Sequence, residues 1–370
     1  MLRNLYMDNI NIITPINQLG YGVTGLNVAK SLSKLGKVAL WPLGNVDCPQ
    51  EDTQRIIQLI KNNQLPNFNA PCLRIWHQND MSQFVGRGLR AGFPIFELDT
   101  FTEIEKSHLS QLDSLIVCSD WARRVCIENG VVVGNSRPVI SIAPLGVDGQ
   151  VFKPHLSTRK TTVFFNCGKW EIRKGHDLIV DAFNQAFVPE DDVELWMMCR
   201  NPFFSDSEND EWEQLYLKSP LGSKVKIISR QPTQKDVYNI MRETDCGVFP
   251  ARAEGWNLEL LEMLSCGKHV IATDYSGHTE FCSHKNTLLL NVKNTEEAFD
   301  GKWFHGQGQW AKLTDKETGY VASLMKSVHR TKQSGSLPMN EEGIKTANQF
   351  SWENTAEKIR DALTNNCICL

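Results

Sequence analysis

No apolar run in the chain approaches the roughly 18 to 20 residues needed to span a bilayer. The opening residues, MLRNLYMDNINIITP, lack the apolar core of a signal peptide. A soluble, cytoplasmic protein is expected. Eleven cysteines occur without a single C-x-x-C pair, and several, such as Cys118 in LIVCS and Cys199 in LWMMC, sit inside apolar strand-like runs. They read as reduced, buried small hydrophobes. There is no D-x-D triplet, and the acidic run Asp206 to Glu211 lacks the glycine and distal acid of a calcium loop. That run reads as a solvated loop, and no metal and no cofactor are expected. A basic excess is also missing, with 39 basic against 43 acidic side chains overall and 13 of each within residues 1–149. General nucleic-acid binding is therefore not expected. The last residues, Cys367-Ile368-Cys369-Leu370, are a poor prenylation box because a cysteine stands inside the aliphatic pair.

What is present is 370 residues, too many for one ordinary core and suited to two domains. Residues 9 to 16 form a first buried strand, followed by Gly20-Tyr21-Gly22-Val23-Thr24-Gly25 and a helix whose apolar positions keep helical spacing to Leu35. This is a literal G-x-G-x-x-G, which opens the reading of an NAD-dependent oxidoreductase. In dinucleotide-binding proteins an acid at the end of the second strand takes the ribose hydroxyls. Here that strand ends Ala39-Leu40-Trp41-Pro42, and the first acid is Asp47. The preferred reading is a glycine loop in which Gly22 lets a phosphate approach the backbone.

Further strands deliver polar residues to a carboxyl edge, where open α/β sheets bind ligands. Cys72 to Trp76 leads to His77, placed to position a sugar hydroxyl or to satisfy a backbone carbonyl. Phe93 to Phe96 leads to Glu97 and Asp99, for which acceptor contact and structural pairing both stay open. Asp120 reads as the cap of the helix from Trp121 to Asn129, with acceptor contact as the alternative. The polar segment Lys153 to Thr161 places a boundary near residue 150.

The second half carries the densest signals. Strand Thr162 to Asn166 leads into Gly168-Lys169-Trp170-Glu171-Ile172-Arg173-Lys174-Gly175 and a helix from His176. Three cations at a helix start oppose its dipole and call for an anion such as a diphosphate. In Val248 to Glu280, a strand, a tight loop and a helix form the phosphate-binding arrangement of α/β proteins. Asn257 is the N-cap, and the amides of Gly255, Trp256 and Leu258 around it face an anion. Glu254 and Glu262 lie eight apart, and carboxylates so placed accept paired hydrogen bonds from the vicinal hydroxyls of a ribose or hexose. The role of the aromatic, glycine-rich stretch Trp303 to Trp310 is unassigned.

The E-x7-E spacing of Glu254 and Glu262, the following Gly267-Lys268-His269-Val270-Ile271-Ala272, the Pro144-Leu145-Gly146-Val147-Asp148 linker and the Lys169 to Gly175 loop resemble the GT-B glycosyltransferases, specifically the retaining family 4 group. The resemblance covers nearly the whole chain and is densest from 163 to 282. It implies two Rossmann-like α/β domains facing across a cleft: an acceptor domain over 1–149, a donor domain over 150–345, and a terminal helix over 346–370 that crosses back. It implies transfer of a hexosyl group from a UDP- or GDP-sugar to an unknown hydroxyl acceptor, with retention and without metal. Lys169 and Lys174 match the diphosphate clamp, Arg230 falls where relatives cradle the base, and His77 matches a histidine after an N-domain strand. Glu262 would hold the ribose and Glu254 the donor sugar. Lysine at 169 replaces the commoner arginine. Trp256 and Asn257 stand where many relatives carry phenylalanine and glycine, which leaves the donor's identity open. A nucleotide-sugar-binding protein without catalysis is the other alternative.

Overall fold

The computed structural model describes residues 9–132, 138–335 and 337–367. Readings placed on residues 1–8 and on Ile368 to Leu370 fall outside these. Contacts divide the chain into two units, Met1–Gly146 with Phe350–Leu370, and Val147–Gln349.

The first unit alternates strands and helices: β1 (Asn9–Thr14), α1 (Gly20–Leu32), β2 (Lys37–Pro42), α2 (Gln50–Lys61), β3 (Cys72–Arg74), β4 (Arg90–Gly92), α3 (Glu103–Ser110), β5 (Ser114–Val117), α4 (Asp120–Glu128) and β6 (Val139–Ile142). Its sheet is parallel, in the order β2-β1-β3-β4-β5-β6. Helices on a parallel sheet bury both its faces, which is why β1 and β5 are buried along almost their whole length.

The second unit runs β7 (Thr162–Cys167), α5 (His176–Ala186), β8 (Val193–Met198), α6 (Asp206–Leu217), β9 (Val225–Ile227), α7 (Gln234–Met241), β10 (Cys246–Phe249), α8 (Leu258–Ser265), β11 (His269–Thr273), β12 (Leu288–Leu290), β13 (Thr295–Phe299), β14 (His305–Ala311), α9 (Asp315–Gln333) and α10 (Glu341–Ala347). Its main sheet is again parallel, β12-β11-β10-β7-β8-β9, while β13 and β14 pair as an antiparallel hairpin. Phe164 and Val248 on the strands, Phe183 on α5, and Val321 and Met325 on α9 share one core. The chain then returns to the first unit as α11 (Trp352–Cys367), which buries Ala356, Ile359 and Leu363 against α1 and β5. The Thr355 hydroxyl donates to the Pro144 carbonyl at 2.7 Å. A Cβ at Gly146 would lie 2.3 Å from the Ser351 carbonyl carbon and the Trp352 amide, so the points where the chain leaves and re-enters this unit lie against each other.

Four local expectations are corrected. The cap of α4 is Ser119, whose hydroxyl accepts from the Ala122 amide at 3.1 Å, and Asp120 is the first residue of the helix. The strand expected over Phe93 to Phe96 is β4, three residues earlier. Pro94 has no amide to continue a ladder, so pairing ends with Phe93, whose amide donates to the Arg74 carbonyl at 2.8 Å. The acidic run is α6 rather than a loop: Ser205 caps it, accepting from the Glu208 amide at 3.3 Å, and the Glu208 carboxylate accepts from the Ser205 amide at 2.8 Å. Finally, α9 extends to Gln333, through the start of the expected surface loop at Thr331 to Pro338.

Candidate functional site

Loops at the carboxyl ends of β7, β10 and β11 converge in the second unit, because those three strands are neighbours in the sheet. Gly175 makes the convergence possible. Its φ is +75°, and a Cβ there would sit 2.1 Å from the Pro250 carbonyl oxygen, so only glycine lets the β7 loop press against the end of β10. Arg252 stitches the two together. Its amide donates to the Arg173 carbonyl at 2.6 Å, and its guanidinium takes the Asp177 carboxylate through bonds of 2.8 and 2.7 Å. The β11 loop joins through Ser276, whose hydroxyl accepts from the Glu254 amide at 2.8 Å and donates to the Tyr275 carbonyl at 2.7 Å. Ser276 pays for this with a φ of +66°, unusual for a residue other than glycine.

A ladder of alternating charge runs through the site. Lys169 lies 2.9 Å from Glu171; Glu171 accepts from Arg173 at 2.7 Å; Arg173 reaches Glu254 at 2.9 Å; Glu254 bonds Lys174 at 2.7 Å. All but Lys169 are buried. The two carboxylates thus meet much of the demand that the three cations make for an anion, and one positive charge is left over. Burial works against both carboxylates, but Arg173 with Lys174 outweighs it at Glu254, and Arg173 with Lys169 at Glu171, so each carboxyl is held down to about 2. Burial likewise opposes the Lys174 ammonium, yet Glu254 and Glu259 hold it above the usual lysine range. Behind the loop, buried His176 accepts from the Glu171 amide through Nδ1 at 3.0 Å and meets Asn166 Oδ1 through Nε2 at 3.0 Å. Burial, then Lys174, push its imidazole down to about 3, so it stays neutral.

Asn257 is the N-cap of α8, with φ +81°, its Oδ1 accepting from the Leu260 amide at 3.1 Å. Gly255 and Trp256 are buried beside it, Trp256 against Phe281 with ring centroids 4.9 Å apart. Glu262, in the second turn of α8, is 8% exposed, and among the described residues its carboxylate has no hydrogen bond or ion pair. Burial, followed by Glu259, raises its pKa well above the ordinary value. Arg230 lies exposed just beyond β9.

The first unit holds the remaining predicted residues. His77 is exposed after β3, with its ring 4.7 Å from Tyr21 and 4.8 Å from Trp76. The glycines of the G-x-G-x-x-G lie within the first turns of α1. A Cβ at Gly22 would meet Asn17 Oδ1 at 2.2 Å, and one at Gly25 would meet the Pro15 carbonyl oxygen at 2.3 Å. Close packing of α1 on the chain leaving β1 therefore accounts for both glycines without a dinucleotide.

Comparison with known proteins bears on what this geometry belongs to. Residues 161–301 match the family model Glycosyl transferases group 1. That stretch holds Lys169, Lys174, Glu254 and Glu262. No match was found among curated protein sequences. Among solved structures, sucrose-phosphate synthase from Thermosynechococcus elongatus is similar with a TM-score of 0.70 at 15% identity, covering 98% of this chain and 100% of that one. HepE of Anabaena in complex with UDP-glucose gives 0.68 at 14%, covering 96% and 99%. A glycosyltransferase from Rickettsia africae gives 0.66 at 13%, covering 97% and 98%. The fold is that of the GT-B glycosyltransferases, with two parallel-sheet α/β units. Among the described residues, no helix is long and apolar enough to cross a membrane.

Glu171, Ser276 and His176 were not singled out from sequence as parts of the site. The capping pattern and the cation cluster were visible, but nothing in the sequence pairs residues 80 positions apart, as Arg173 with Ala253.

Proposed function

We propose that this GT-B protein transfers a hexosyl group from a nucleotide diphosphate sugar to an acceptor hydroxyl, with retention and without a metal. The observation that carries the reading is Glu262. The residue is largely buried but its carboxylate oxygens keep contact with solvent, and there two ribose hydroxyls would supply the donors that the protein does not. Next to it the ladder keeps one positive charge in excess, suited to the diphosphate. HepE was solved with UDP-glucose and with UDP and glucose, which favours a UDP-hexose as the donor to try first.

Breaking the sugar–oxygen bond builds negative charge on the departing diphosphate, and fixed donors lower that barrier. Lys169, the one partly exposed member of the ladder, and Lys174 take this role. They are aided by the backbone around Gly255, Trp256, Asn257 and Leu258. Glu254 already serves Lys174 and Arg173, yet a carboxylate offers about four acceptor positions, and the remaining ones serve the donor sugar's hydroxyls. His77, exposed in the first unit, is assigned to a substrate hydroxyl, Gly22 to the close approach of substrate to the backbone, and Arg230 to the nucleotide.

The test is a panel of UDP- and GDP-sugars, following thermal shift and release of the nucleoside diphosphate. One or more donors should raise the melting temperature and be hydrolysed slowly without acceptor. If no donor does either, the reading fails.

A further inference from the structure

Glu171 has no part in sugar transfer itself, yet it is bonded to the lysine that faces the diphosphate. Its Oε2 accepts from Nε and Nη2 of Arg173 at 3.0 and 2.7 Å, and its Oε1 lies 2.9 Å from the Lys169 ammonium. Against the cost of burial, Arg173 and Lys169 hold its carboxyl down to about 2, so it is charged throughout the neutral range.

Of these three groups only Lys169 has room to move. Arg173 is occupied on every side: beyond Glu171, its Nη1 donates to the Ala253 carbonyl at 2.7 Å and lies 2.9 Å from Glu254. Glu171 is held from behind. Its amide donates to Nδ1 of buried His176 at 3.0 Å, the other ring nitrogen of which meets Asn166 Oδ1 at 3.0 Å, and its own side chain is 4% exposed. The Lys169 side chain is 34% exposed on a flexible four-carbon stem, and the Phe203 ring centroid lies 5.1 Å from its ammonium.

A phosphate arriving at Lys169 therefore finds a fixed anion already there. An ammonium can donate to both, but two oxygens bonded to one nitrogen lie within about 6 Å of each other, where like charges repel. The lysine either leaves Glu171 for the phosphate or keeps both against that repulsion. Either course weakens the hold on the diphosphate.

We propose that Glu171 is a built-in rival of the diphosphate for Lys169, which lowers the affinity for the nucleoside diphosphate and so speeds its release after transfer. This rests on the reading of the chain as a user of nucleotide diphosphate sugars. Product release limits the turnover of many enzymes, and a rival anion in the site shortens that step at the expense of tight binding.

The test is calorimetric titration of the whole chain with UDP, GDP and inorganic pyrophosphate, with stopped-flow displacement of bound nucleotide, using wild type, Glu171→Gln and Lys169→Arg. Glutamine keeps the shape of Glu171 and can still accept from Arg173, but it carries no charge. Glu171→Gln should bind pyrophosphate and the preferred nucleotide roughly 5- to 30-fold more tightly, with dissociation of the nucleotide slowed by a like factor. A carboxylate that only braced the loop would give the reverse, so unchanged or weaker binding of pyrophosphate overturns the proposal. Lys169→Arg keeps the buried carboxylate and decides the matter if Glu171→Gln does not fold. The five donors of arginine can serve Glu171 and a phosphate together, so this variant should also bind pyrophosphate more tightly, and affinity at or below that of wild type overturns the proposal. A wild-type protein that binds none of the three probes would instead remove the donor reading on which the inference rests.

Discussion

Glu254 and Lys174 face each other at 2.7 Å with both side chains about nine-tenths buried. A pair so enclosed gains little from being a pair, because desolvation offsets most of its attraction, but it loses heavily when one member goes.

Lys174→Ala should therefore abolish transfer and also destabilise the protein by about 3 to 5 kcal/mol, since Glu254 is left against Arg173 alone. Combining Lys174→Met with Glu254→Gln should restore most of the stability and none of the turnover. Urea denaturation beside a donor-hydrolysis assay checks both. A stable Lys174→Ala protein would mean that water reaches the pair.

Glu262 is predicted to behave in the opposite way. Its pKa is raised on folding, so the folded state holds the proton more tightly than the unfolded chain. The stability this contributes is complete below the unfolded value of about 4.3 and is lost as pH rises through the raised folded value. Glu262→Gln should then melt higher than wild type at pH 7 to 8, by about 2 to 4 °C for each kcal/mol relieved, with the gap closing near pH 4. The same variant should raise donor KM more than it lowers kcat. Melting curves across pH and steady-state kinetics would show whether stability has been given up for binding.

Glu171 and Glu254 set the acid limit. Both carboxyls are held down to about 2 in the folded protein, so their stabilisation is present above the unfolded value and is lost as pH falls from about 4.3 toward 2, on the order of 3 kcal/mol for each. Acid unfolding of Glu254→Gln should be shallower than that of wild type over this window. Identical acid titrations would place the acid sensitivity elsewhere.

Asn257→Gly should be close to neutral, within about 0.5 kcal/mol, because loss of the side-chain cap costs only a few tenths and relief of the left-handed backbone offsets it. Asn257→Val loses the cap and cannot relax the φ of +81°, and should cost about 2 kcal/mol or more. Equal effects of the two substitutions in chemical denaturation would remove the backbone argument.

Much of this was legible in the residues themselves. Strand-loop-helix order, the Asn257 cap and the buried faces of α11 followed from periodicity and capping chemistry. The sequence also drew attention to Lys169, Lys174, Glu254 and Glu262 before any contact was known. What it hid has physical causes. Phe93 and Phe96 are core residues on irregular backbone, so an apolar run there imitates a strand. Ser205-x-x-Glu208 was a readable start signal overshadowed by the acidity around it. The partners of the cations were out of reach, because Glu171 with Arg173 is a choice of rotamer, and Arg252 with Asp177 joins a loop to the first turn of a helix 75 positions away. Three lysine and arginine side chains that seemed to await a phosphate turned out to be largely neutralised by their own chain.

The return of α11 to the first unit has a consequence for biosynthesis. The second unit is one uninterrupted segment, Val147–Gln349, whereas the first includes residues 350–370, which are made after it. The usual N-to-C order of folding is therefore inverted for this chain: the later-made unit can close while the earlier one still exposes the apolar surface of α1 and β5 that Ala356, Ile359 and Leu363 will cover.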